Sequence, residues 1–169
     1  MRSFRFLRSW LAIAGLFATA NLCAAEVSGI YENFGNLVSS DATPASSRVS
    51  LQGLLELNFD YDLTRALHAE TSRVVLRQTA SRFTIECRDG DKVTWSGRWE
   101  KGSGYSAEED RVELTFHNAQ LKYDSYLFSL QPVAQRDLLL VEVKRINATT
   151  LGPNVQTVGT FIFGRIARE

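Results

Sequence analysis

Hydrophobic and polar residues alternate along several segments of this chain, a pattern typical of strands with one buried and one exposed face. The clearest case places four residues on one predicted face: Val93, Trp95, Gly97 and Trp99. β-Branched and aromatic residues are dense in these segments, as half-buried strands favour. The pattern predicts strands near 27–33, 73–79, 82–88, 92–99, 111–117, 120–130, 137–146 and 156–166.

Short turns separate the predicted strands and indicate how they are connected. Asp89-Gly90 suits a tight hairpin, because glycine tolerates the positive φ that such turns require. Residues 36–48 are rich in serine and predict a polar surface loop. The fold class is therefore mainly β: an antiparallel, up-and-down meander of about eight strands. Such a meander forms either a closed or partly open barrel or a two-sheet sandwich, and hairpins throughout favour the barrel.

The segment 49–71 has two interpretations. Ser50 is a candidate cap for a helix in which Leu51, Leu54 and Leu55 share a face, and Asp62 is a candidate cap for a second helix. The segment also alternates well enough for a strand. We expect one or two short helices near 50–71, covering the predicted last strands, which are apolar on both faces.

The first 25 residues have the three parts of a secretory signal peptide. Arg2, Arg5 and Arg8 precede an apolar stretch, which ends in small residues before Ala25. The apolar stretch is shorter than the roughly 20 residues that span a bilayer. We expect cleavage after Ala25 and export to the periplasm or outside the cell. Lipid attachment at Cys23 is a minority alternative, because bulky Leu22 precedes it.

Residues 26–169 predict a single domain without a transmembrane span. This part has 16 basic and 19 acidic residues and no basic tract, which argues against a nucleic-acid partner. Cys87 is its one cysteine, so no internal disulfide is available. Packing alone must hold this domain together in an oxidising compartment.

The predicted first strand resembles the opening of lipocalin-like (calycin) barrels. The sequence Val27-Ser28-Gly29-Ile30-Tyr31-Glu32-Asn33 has a glycine followed by an aromatic residue. In that family the aromatic residue, most often tryptophan, plugs one end of the barrel. The resemblance implies a small exported barrel with Tyr31 in that position. The chain also resembles exported bacterial β proteins and lipoproteins whose function is not defined.

No motif in the sequence predicts catalysis, a metal or a cofactor. Asp60 to Thr64 matches the DxDxT signature of haloacid-dehalogenase-type phosphatases, but those enzymes need a parallel sheet. His68, His117 and Cys87 lack the close spacing of zinc ligands. The Gly-x-Ser-x-Gly elbow of serine hydrolases does not occur. We predict a non-enzymatic protein and keep a hydrolase only as a remote alternative.

Aromatic residues on nearly every predicted strand suggest the one candidate site. They either fill the core or line a cavity for an apolar or amphipathic small molecule, as barrels of this size allow. The predicted ligand-binding residues are Tyr31, Trp95, Trp99 and Phe163. The alternative function is a protein-interaction module that binds an envelope protein through its loops.

Overall fold

The computed structural model describes residues 25–40, 48–56, 71–117, 124–133, 136–149 and 152–168, and they form a mainly β fold, as predicted. One sheet of 11 strands contains β1 (Gly29–Glu32), β2 (Phe34–Ser39), β3 (Arg48–Ser50), β4 (Arg73–Gln78), β5 (Arg82–Asp89), β6 (Lys92–Lys101), β7 (Gly104–Ala107), β8 (Val112–His117), β9 (Asp124–Pro132), β10 (Leu138–Thr149) and β11 (Gly152–Ala167). The helix α1 (Leu51–Glu56) follows β3. Within these ranges no helix combines the length and hydrophobicity needed to cross a membrane.

The sheet returns on itself to give a ring-like arrangement. From β4 to β11, each strand lies beside the next one in the chain. The first strand, β1, pairs with β4 on one side and with β11 on the other, and β2 extends along β11 with β3 at its outer edge. All pairs are antiparallel except the two-residue pair of β6 and β7. The inner face of the ring carries the hydrophobic core.

Several predicted boundaries differ from the structure. The first strand, predicted at 27–33, is shorter at both ends and covers Gly29–Glu32. Asn36–Ser39 belong to β2 although a surface loop was predicted there. The strand β7 was missed. The last two strands, predicted at 137–146 and 156–166, come closer together than expected, because β10 continues to Thr149 and β11 begins at Gly152. The β5–β6 hairpin is confirmed, with Gly90 at a φ of 57°.

A buried polar network explains where α1 begins. The Ser50 hydroxyl accepts a hydrogen bond from the Gly53 amide at 3.1 Å, which is the predicted N-terminal cap. The Asn33 side-chain oxygen accepts from the Ser50 hydroxyl and from the Gln52 amide, at 3.0 and 2.9 Å. The Asn33 amide nitrogen donates to the Thr71 carbonyl at 3.0 Å. Because these groups are buried, the network fixes the chain between β1, α1 and the start of β4.

The predicted helical face enters the core. Leu51, Leu54 and Leu55 are at most 1% exposed. The predicted second helix, with Asp62, lies outside the described residues. The last strands were expected to be covered on both faces, but only one face is fully buried. Leu139 and Val141 are completely buried, whereas Leu140 and its partner Ile162 are half-buried.

Candidate functional site

A β-bulge in β6 changes which side chains face the interior. Cys87 pairs with Trp95, whereas the next residue, Arg88, pairs with Val93, so Thr94 is an extra residue. Directly paired residues project from the same face of a sheet. Val93 therefore lies with Arg88 on the outer face and is 46% exposed. The predicted common face of Val93 with Trp95 is wrong for this reason.

The bulge is held by hydrogen bonds that connect it to the polar network beside α1. The Thr94 hydroxyl donates to the Cys87 carbonyl at 3.1 Å and lies 2.7 Å from the Thr71 hydroxyl. The Thr71 hydroxyl also donates to the Gln52 side-chain oxygen. These contacts fix the position in β6 at which the alternation of inward and outward side chains shifts by one residue. Trp95, Gly97 and Trp99 then follow on the inner face.

The two edges of β6 differ. One edge pairs with β5 from Lys92 to Glu100. On the other edge, the pairs among described residues are limited to Glu100 with Gly104 and Lys101 with Tyr105. Among the described residues, side-chain contacts and not backbone hydrogen bonds therefore connect most of β6 to β8.

The bridging side chains form an aromatic row of four residues: Trp95, Trp99, Phe116 and Phe128. Successive ring centroids lie 6.5, 4.9 and 4.7 Å apart. Exposure falls along the row: the two tryptophans are half-buried, Phe116 is 7% exposed and Phe128 is fully buried. The row thus gives a continuous series of ring contacts from solvent to core.

The lack of a side chain at Gly97 and Gly104 provides the space that the tryptophan rings occupy. A Cβ atom at Gly97 would lie 2.3 Å from the Trp99 ring and 2.7 Å from the Trp95 ring. A Cβ atom at Gly104 would lie 3.3 Å from the Trp99 ring and 3.0 Å from the Thr115 carbonyl oxygen. Gly104 also has a φ of 86°, which disfavours other residues. Both indoles therefore lie directly over β6 backbone that has no side chain of its own.

Tyr31 lies in a different part of the ring, between β1 and β11. Its hydroxyl donates to the Val27 carbonyl at 2.9 Å and accepts from Nε and a terminal nitrogen of Arg165, at 3.0 and 2.6 Å. The Arg165 guanidinium is 5.2 Å from the centre of the Tyr31 ring. Burial raises the pKa of Tyr31, and the hydrogen bond from Arg165 opposes this effect. The Tyr31 side chain is therefore tightly packed and protonated.

Phe163 is also fully buried. Its ring lies against the backbone of Gly35, where an added Cβ would be 2.5 Å from the ring and 2.3 Å from the Ile162 carbonyl oxygen. Of the four predicted ligand-binding residues, the structure thus brings Trp95 and Trp99 into one pair. Tyr31 and Phe163 pack around β1, β2 and β11 instead.

Sequence reasoning missed the two glycines that allow the tryptophan rings to pack closely on the strand. Gly97 and Gly104 appeared as ordinary strand and loop residues, although glycine between two tryptophans is a signal for close packing. Asp60, Asp62 and His68 lie outside the described residues. In the described ranges, no three His, Cys, Asp or Glu side chains are grouped to hold a metal ion.

Comparison with known proteins identifies no relative of this chain. No protein-family model matches it, and neither a curated protein nor a solved structure matches it. Inference about function therefore rests on the geometry of the aromatic row.

Proposed function

We propose that this chain is an exported, non-enzymatic protein whose ring-like sheet forms a lipocalin-like barrel that binds one small apolar or amphipathic molecule. The observation that carries the proposal is the aromatic row, which leads from two partly buried tryptophans to a fully buried phenylalanine. Ligand sites are typically lined by aromatic side chains that are partly accessible before the ligand binds.

An apolar ligand suits this site because the indoles still expose apolar surface. Covering such surface stabilises a complex by about 25 cal/mol per Å². The Trp95 and Trp99 ring planes are tilted by 47° to each other, so the pair does not form one flat stacking surface. A ligand with an apolar chain or ring system would contact both indoles and reach Phe116 behind them.

The second edge of β6, which among the described residues pairs with β7 only at Glu100 and Lys101, is the proposed entry route for the ligand. Along Trp95 to Trp99, ring contacts and not backbone hydrogen bonds connect β6 to β8 among the described residues. Side chains reorient in picoseconds to nanoseconds, whereas opening a strand pair breaks a ladder. Trp95 and Trp99 are therefore proposed to contact the ligand. Tyr31 and Phe163 are proposed to pack the closed side of the interior.

Titration with a fluorescent fatty-acid analogue tests the proposal. Residues 26–169 contain two tryptophans, Trp95 and Trp99, so tryptophan emission reports on the proposed site. We expect saturable binding of one probe per chain and quenching of that emission. Replacing Trp99 by alanine should weaken binding by about tenfold, equivalent to about 1.4 kcal/mol.

A matched control removes apolar surface elsewhere. Ile166 is 57% exposed on β11, so Ile166→Ala should leave probe affinity unchanged. Absence of binding at saturating probe, or equal weakening by Ile166→Ala and Trp99→Ala, would contradict the proposal. The alternative, a protein-interaction module acting through its loops, predicts no uptake of the probe.

A further inference from the structure

Residues 25–27 precede β1 and are already packed into the domain. Ala25 and Val27 are 7% and 0% exposed, whereas Glu26 between them is exposed. This alternation is that of an extended segment with one buried face. Burial of the described chain therefore begins at Ala25, four residues before β1 starts at Gly29.

Hydrogen bonds hold this segment to two separate parts of the sheet. The Ala25 amide donates to the Glu108 carbonyl, just after β7, at 2.9 Å. The Val27 amide donates to the side-chain oxygen of Gln78, the last residue of β4, at 3.1 Å. The Val27 carbonyl accepts the hydrogen bond from the Tyr31 hydroxyl. The segment thus connects the ends of β4 and β7, which are not neighbours in the sheet.

A chain that began at Glu26 would lose the contacts of Ala25. The hydrogen bond to the Glu108 carbonyl would be absent, and so would the buried methyl group. A charged ammonium group at Glu26 would border the apolar space that Ala25 fills, and charge beside apolar surface is costly. The folded domain therefore includes Ala25 as a structural residue.

The sequence ahead of the domain contains two candidate sites for removal of a signal peptide. Signal peptides end in a pattern of small residues that resembles Ala-x-Ala, with the cut directly after it. The segments Ala18-Thr19-Ala20 and Cys23-Ala24-Ala25 both fit this pattern. A cut after Ala24 fits poorly, because it would place bulky Leu22 at the third position before the cut.

The structure distinguishes the two sites. A cut after Ala25 removes this residue from the domain, whereas a cut after Ala20 keeps it, with four residues ahead of it. The earlier site also follows an apolar stretch, Trp10–Phe17, of eight residues. Such stretches usually have about 7 to 15 residues, so the shorter signal peptide has ordinary proportions.

We propose that a signal peptidase cuts this chain after Ala20, so that the mature protein begins at Asn21 and keeps Ala25 in the fold. The inference rests on the proposed export and places the cut five residues ahead of the one expected from the sequence. Water hydrolyses the peptide bond, which leaves a carboxylate on Ala20 and an amine on Asn21. The mature chain then retains both Cys23 and Cys87.

Intact-mass measurement of the full chain, expressed with export in a bacterium, tests the site. We expect a chain that begins at Asn21 and that, after reduction, takes up two equivalents of an alkylating reagent. Ala20→Tyr places a bulky residue directly before the proposed cut and should abolish this form. The control Cys23→Tyr places the same residue at the third position before the alternative cut and should be processed like the wild type.

The outcomes separate this inference from the proposed export. A mature chain that begins at Glu26, or processing that fails in Cys23→Tyr and not in Ala20→Tyr, would overturn the inference and leave export intact. A lipid on Cys23 would also overturn it and indicate an anchored protein. An uncut chain would contradict both the inference and the export.

A second measurement tests the structural role of Ala25. Chains prepared to begin at Asn21 and at Glu26 are compared by urea denaturation. Loss of the Ala25 contacts should raise the unfolding equilibrium constant of the shorter chain by about fivefold or more. A control chain that begins at Ala24 keeps Ala25 and should match the chain that begins at Asn21. Equal stability of all three would overturn the inference, because the fold would then not distinguish the two cuts.

Discussion

Two groups of aromatic residues in this ring differ in how firmly they are held. Tyr31 and Phe163 are completely buried between strands that have hydrogen-bonded neighbours on both edges. Trp95 and Trp99 are only half-buried, on a strand paired to β5 along one edge. Both groups lie on the inner face, so the alternating pattern of the strands does not distinguish them.

The difference shows that strand pairing, and not residue type, decides which inner aromatic residues become accessible. A strand with two neighbours fixes the backbone on which its side chains pack. At the β6 edge, ring contacts to Phe116 take the place of a ladder, and rings can move without breaking backbone hydrogen bonds. We therefore expect the closed group, Tyr31 and Phe163, to contribute more to stability. The open group, Trp95 and Trp99, supplies the partly exposed surface of the proposed ligand site.

The largest expected effect compares truncation in the two groups. Phe163→Ala removes a fully buried ring and should lower the free energy of unfolding by about 3–5 kcal/mol. Trp95→Ala removes a larger but only partly buried ring at the end of the aromatic row, and we expect about 1–2 kcal/mol, near the average for single substitutions. Urea denaturation of both variants measures the difference. Equal losses would show that the two groups pack alike.

The second comparison adds one methyl group in each region. At Gly35 a Cβ would meet the Ile162 carbonyl oxygen at 2.3 Å, and that backbone is held by β10. Gly35→Ala should therefore destabilise by about 1–3 kcal/mol. At Gly97 the three atoms nearest to an added Cβ belong to the ends of two indole rings and not to backbone.

We accordingly expect Gly97→Ala to change stability by less than about 1 kcal/mol while shifting tryptophan emission to longer wavelength. Urea melts followed by tryptophan emission give both values in one experiment. A larger loss of stability at Gly97 than at Gly35 would mean that the row is as rigid as the closed group.

The sequence predicted the parts of this fold that depend on local pattern. Alternation identified most of the long strands, Asp89-Gly90 identified one hairpin, and Ser50 identified the start of α1. Trp95 and Trp99 were predicted on one face because they lie four residues apart in a strand, and the structure places both on the inner face. These features follow from a few consecutive residues.

The remaining features depend on contacts between distant segments. The bulge at Thr94 turns the Val93 side chain to the outer face of the sheet. The hydrogen bond between the Thr94 and Thr71 hydroxyls spans 23 residues. The break at Asn33 depends on Thr71, which lies 38 residues away. Likewise, nothing local shows that β7 would be too short to cover the β6 edge. A period-two pattern gives no information on any of these.

A pH comparison tests how closed the surroundings of Tyr31 are. Tyr31→Phe deletes the hydroxyl that joins Val27 to Arg165, and we expect a loss of about 1–2 kcal/mol near neutral pH. Burial raises the pKa of Tyr31 above 10.0, so the folded chain keeps this proton after the unfolded chain has lost it. The unfolded state then binds fewer protons, and stability falls as pH rises above 10.0.

The variant lacks that contribution, so its stability should fall less steeply than that of the wild type in the alkaline range. Tyr105, whose pKa burial also raises, is present in both proteins and cancels in the comparison. Urea melts of both proteins at neutral pH and above pH 10.0 should therefore show the gap between them narrowing. A constant gap would mean that Tyr31 ionises as easily in the folded chain as in the unfolded one, and a widening gap would mean that it ionises more easily in the folded chain. Its surroundings would then be as open to water as those of the tryptophan pair.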